Sequence, residues 1–96
     1  MKLAMFREPK SYIEWLEREI ELLRAHGLRL ANESLADALA GIGKEVWCKM
    51  NNISPKNWDY EWERQIEYYR GRVRYLNRRI NKYQKEIDKT RLEYGL

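Results

Sequence analysis

One cysteine, two prolines, five glycines and a single histidine among 96 residues leave few ways to break or cross-link this chain. Cys48 has no second cysteine with which to form an internal disulfide, which suits a reducing cytosol. Scarce proline and glycine favour helix almost throughout. No apolar run approaches the roughly 18 residues of a membrane span. Met1 to Phe6 hold too few apolar residues for a signal peptide. The expected location is therefore cytoplasmic, and the Asn32-Glu33-Ser34 and Asn52-Ile53-Ser54 sequons are chance matches.

The chain has apolar residues and charge in good supply. A content of 44% apolar and 35% charged residues describes one globular domain spanning residues 1–96 rather than a disordered segment. The net charge of +4 is uneven. Residues 1–53 hold eight Lys/Arg and eight Asp/Glu, so the whole excess lies beyond them. Trp58 to Glu63 is acidic, whereas Arg64 to Arg91 carries ten bases against Glu67, Glu86 and Asp88. An acidic start and a basic body suit the dipole of one long helix.

Three helices follow from the spacing. Ser11-Tyr12-Ile13-Glu14 matches a capping box, Ile13, Leu16, Ile20 and Leu23 form a stripe, and His26-Gly27 offers a stop. The first helix is expected over 11–26. Ser34-Leu35-Ala36-Asp37 is a second capping-box match, and Leu35, Leu39, Ile42, Val46, Met50 and Ile53 are spaced as one helical face. The second helix is expected over 33–51, with Gly41 and Gly43 marking a close approach or a local break. Ser54-Pro55 starts a third helix over 55–93. Its seam steps by four and three through Trp62, Ile66, Tyr69, Val73, Leu76, Ile80, Tyr83, Ile87, Thr90 and Tyr94, a heptad register.

Length then shapes the fold. The third helix would be about 58 Å long, against about 32 Å for a compact globule of this size. The expected fold is an all-α three-helix bundle, coiled-coil-like, built on the proximal half of the long helix. The distal half from Leu76 then projects, its seam of Leu76, Ile80, Tyr83 and Ile87 uncovered.

No residue set points to catalysis. His26 sits where a cation meets a helix C-terminus, and Cys48 has no partner for a metal site or a nucleophile pair. Gly41-Ile42-Gly43-Lys44 lacks the first glycine and the Ser/Thr of a phosphate loop, with Ala38 and Glu45 in those places. Ser34 to Met50 has a faint helix-turn-helix likeness, but Gly41 comes one place late, Lys49 replaces an apolar residue, and Glu45 would repel phosphate. The chain reads as no enzyme, with no cofactor and no metal.

The basic-aromatic helix carries the functional reading. Trp58, Tyr60, Trp62, Tyr68 and Tyr69 crowd twelve residues, and Arg70, Arg72, Arg74, Arg78 and Arg79 follow with Tyr75 among them. Trp, Tyr and Arg dominate protein–protein hot spots, and the same set stacks bases and neutralises phosphates. The plain alternative makes the aromatics core and the arginines a solvated face. By its size, its Trp58–Tyr69 cluster and its Arg70–Arg79 run, the chain resembles small phage-encoded modulators of host DNA-processing machinery, of the anti-RecBCD accessory or anti-CRISPR type. That resemblance implies a host protein complex as partner, in the host cell cytoplasm. The expected contact residues are Tyr68, Arg72, Tyr75, Arg79 and Lys82 beside the seam, with Ile80, Tyr83 and Ile87 on it. Direct DNA or RNA binding and a coiled-coil homodimer are the competing readings.

Overall fold

Buried and half-buried residues of the N-terminal half recur as Ile13, Leu16, Ile20, Leu23, Leu28, Ala31, Leu35 and Ala38. Their steps are three, four, three, five, three, four and three. All are α-helical steps except the five between Leu23 and Leu28. The computed structural model, which describes residues 8–96, places a π-helical turn over Leu23–Leu28. One extra residue in that turn puts both Leu23 and Leu28 against the same core, so the chain runs on as helix through Gly27. The reading of Met1–Phe6 lies outside the described residues.

The elements in order are α1 (Pro9–Leu22), the π turn, α2 (Arg29–Leu39), α3 (Lys44–Met50), a 3-10 turn (Pro55–Asn57) and α4 (Trp58–Tyr94). Every element among the described residues is helical, and the 37-residue α4 is the long C-terminal helix that the heptad register requires. The boundaries expected at 11–26 and 33–51 are corrected. Helix α1 starts earlier, with Pro9 in its first turn after Glu8, so Ser11 is inside it. The stop placed at Gly27 is absent, and Ser34 lies within α2 with no free helix start to cap.

The real stops are three Schellman motifs, in which a left-handed residue lets two amides turn back onto the last carbonyls. Gly41, at φ +75°, ends α2, with the Ile42 amide on the Asp37 carbonyl at 2.9 Å and the Gly41 amide on Ala38 at 3.0 Å. Asn52, at φ +56°, ends α3 with Ile53 on Cys48 at 3.0 Å, and Gly95 ends α4 with Leu96 on Arg91 at 2.9 Å. Of the two readings of Gly41 and Gly43, the local break is the one found.

The chain forms two compact units, one made of residues up to Leu28 with Leu76–Leu96, the other of Arg29–Tyr75. In the first, α1 lies antiparallel to the distal part of α4: Tyr12 meets Glu86, Trp15 meets Tyr83, and Gly27 meets Leu76. Its core is Tyr12, Ile13, Leu16, Ile20, Ile80 and Ile87. In the second, the buried residues are Ala31, Ala38, Cys48 and Ile66. Trp62 Nε1 donates to the Ala38 carbonyl at 2.8 Å, satisfying a C-terminal carbonyl of α2, and stands edge-on to Trp47 at 5.8 Å. Trp58 Nε1 donates to the Ile53 carbonyl at 2.8 Å, and Lys44 pairs with Asp59.

Deleting exposed His26 should convert the five-residue step into four and give an uninterrupted α-helix with the stripe still in phase. Cooperative urea unfolding is expected to survive it, whereas deleting Arg18 inside α1 rotates the stripe by about 100° and should abolish cooperativity. Gly41→Ala, forced to a positive φ, is expected to cost about 1–2 kcal/mol in the same assay.

Candidate docking surfaces

The seam expected to lie open is closed. Ile80 and Ile87 are buried in the core of the first unit, Leu76 is buried too, and half-buried Tyr83 packs against that core. The reason is the reach of the N-terminal helix: α1 covers the distal part of α4. Ile80, Tyr83 and Ile87 are thus withdrawn as partner-contacting residues. Arg79 goes with them in part. It is half-buried, its Nη2 donates to the Tyr83 hydroxyl at 2.8 Å, and its guanidinium lies 5.6 Å from the Tyr83 ring centre. Lys82 remains exposed.

The polar contacts of this unit are structural. Tyr12 is buried and its hydroxyl donates to Glu86 at 3.2 Å. Burial and then the neighbouring Glu86 carboxylate push the Tyr12 phenol above its ordinary value. Thr90 donates to the Glu86 carbonyl at 2.8 Å, which explains how a polar residue tolerates a buried seam position. A groove of about 560 Å³ runs over Ile20 and Ile87, and across it Arg91 meets Glu17 at 3.5 Å.

The second unit holds Tyr68, Arg72 and Tyr75. Steps of four and three put them on one face of α4, and all three are exposed. The Tyr68 ring leans edge-on against Tyr69 at 5.4 Å, and Arg72 has no ion pair among the described residues. The other arginines of this stretch are matched by acids: Arg64 with Glu61, and Arg70 and Arg74 with Glu67.

A second surface in this unit comes from the one helical face expected through Leu39, Ile42, Val46 and Met50: that face is split between two helices, and all four residues are exposed, Met50 at 78% and Val46 at 62%. Val46 and Met50 stand one turn apart on α3, with Leu39 and Ile42 at and beyond the end of α2. The break at Gly41 is the cause. It ends the helix that the spacing assumed, and α3 then turns Cys48 and Trp47 inward. Small Ala31 and Ala38 take the inner positions of α2. Glu45 and Lys49 pair at 2.6 Å beside Val46, and Lys49 holds the Glu45 carboxyl below its usual range.

The core and surface assignments separate on truncation. Ile80→Ala and Ile87→Ala should each cost about 2–5 kcal/mol in urea unfolding, while Arg72→Ala and Lys82→Ala should stay within about 0.5 kcal/mol of the parent. Comparison with protein-family models, with curated proteins and with solved structures returns no match for this chain.

Proposed function

We propose that this chain acts by binding and not by catalysis, as a helical interaction protein that docks on a host protein complex acting on nucleic acid and modulates it. One observation carries the docking part. The second unit buries Ala31, Ala38, Cys48 and a single large aliphatic, Ile66, while Leu39, Ile42, Val46 and Met50 face solvent. Burying a large aliphatic side chain is worth about 1.5–3 kcal/mol, so four such side chains left in water keep that free energy available to a partner. Exposed apolar clusters of this kind mark interaction sites on soluble proteins.

Tyr68, Arg72 and Tyr75 supply a second set of hot-spot residue types in the same unit. Their exposure supports the expected contact surface in its proximal part, and Arg79 leaves it by folding onto Tyr83. The resemblance to small phage-encoded modulators gives the direction of the reading, towards host machinery that works on nucleic acid.

The test is capture of partners from a host lysate, read by mass spectrometry, with the parent chain and two variants as bait. Val46→Ser/Met50→Ser and Tyr68→Ala/Arg72→Ala should both unfold at the parent temperature, because each truncates exposed side chains. The first is expected to lose the discrete partners retained by the parent, at least about tenfold, equivalent to roughly 1.4 kcal/mol. Undiminished capture by both folded variants would remove the proposal.

A further inference from the structure

In the first unit, Arg78, Lys82, Lys85 and Lys89 are all exposed along α4. Each stands two residues after a seam residue: Leu76, Ile80, Tyr83 and Ile87. Two residues of α-helix are a rotation of about 200°, so the four cations form a row on the side of α4 facing away from its covered seam. The row spans about 16 Å along the axis. Arg78, Lys82 and Lys85 have no acidic partner among the described residues, and Lys89 reaches Glu93 only at 4.0 Å with both side chains more than half exposed.

Such a row is unfavourable to the isolated chain. Like charges one turn apart destabilise a helix by about 0.2–0.5 kcal/mol per pair. Elsewhere on α4, Arg64, Arg70 and Arg74 are offset by neighbouring glutamates. We infer that this row is a track for the phosphate backbone of duplex nucleic acid. No large hydrophobic residue is exposed between Tyr75 and Leu92. A bilayer surface helix needs apolar anchors beside its cations, and a protein hot spot needs an aromatic or apolar centre, so neither occupant fits. Single strands are held by aromatic stacking platforms as well as charge, and the row contains none. A duplex presents a phosphate charge about every 1.7 Å of axis and asks only for cations in line. The contacts position the chain on the backbone without reading sequence. This inference goes beyond the protein-docking proposal and does not depend on it.

The full-length chain is titrated into a labelled duplex DNA, followed by fluorescence anisotropy across roughly 50–200 mM salt. With four phosphate contacts, the log–log dependence of affinity on salt should have a slope of about −3.6. Lys82→Gln/Lys85→Gln should weaken binding at low salt at least about tenfold and reduce the slope by about 1.8. Lys10→Gln/Lys56→Gln removes the same charge from exposed sites elsewhere and should weaken binding less than about twofold. Circular dichroism and thermal unfolding confirm that each variant folds as the parent does. Parallel arms use the single strand of the same length and vesicles containing phosphatidylserine. The inference is overturned by no duplex binding at low salt, by equal losses in the two double variants, or by tighter binding to the single strand or the vesicles than to the duplex.

Discussion

The structure of the first unit depends on one contact: the distal seam of α4 closing on the apolar face of α1. Ile80 and Ile87 have no apolar shelter on their own helix, and Tyr12, Ile13, Leu16 and Ile20 have none on theirs. Each stripe exists to cover the other. The contact is sealed at its polar edges by Tyr12 with Glu86 and by Arg91 with Glu17. Charge reinforces it, since α1 carries Glu14, Glu17, Glu19 and Glu21 while the distal part of α4 is rich in Arg and Lys. Part of the basic excess of the long helix therefore has an intramolecular counterpart.

The π turn at Leu23–Leu28 then keeps both Leu23 and Leu28 against the core of the first unit, with the Leu76 side chain near Gly27. Beyond it, Gly41 and Asn52 place α3 by taking the left-handed conformation that closes a helix. These turns decide which side chains of the second unit face water. Leu39, Ile42, Val46 and Met50 are outside because the helix that would have buried them stops at Leu39.

Function, on this reading, resides in surfaces that the fold leaves unsatisfied. The second unit shows apolar side chains and tyrosines, the currency of protein contacts, whereas the outward side of distal α4 shows the row Arg78, Lys82, Lys85 and Lys89. The two surfaces differ in chemistry, and each is proposed for its own class of partner.

The long helix was legible at once, because Trp62 to Tyr94 repeats without interruption and Pro55 marks its start. The all-α class followed from the same periodicity and from scarce proline and glycine. The π turn was present as a five-residue step, but only to a reader who counted Ala31 and Ala38 as core, and alanine is too small to announce itself. His26-Gly27 and Gly41 are equally good stop signals locally. Gly27 is overruled because continuing the helix brings Leu28 against the core of the first unit, and Gly41 is used because a Schellman turn there seats Trp62 on the Ala38 carbonyl. By itself the sequence determined helix type, the heptad seam and the sign of its flanking charge, all properties of nearest neighbours along one helix. Only the tertiary structure decided which helix covers that seam and which apolar residues stay wet, because burial is settled between segments far apart in the chain.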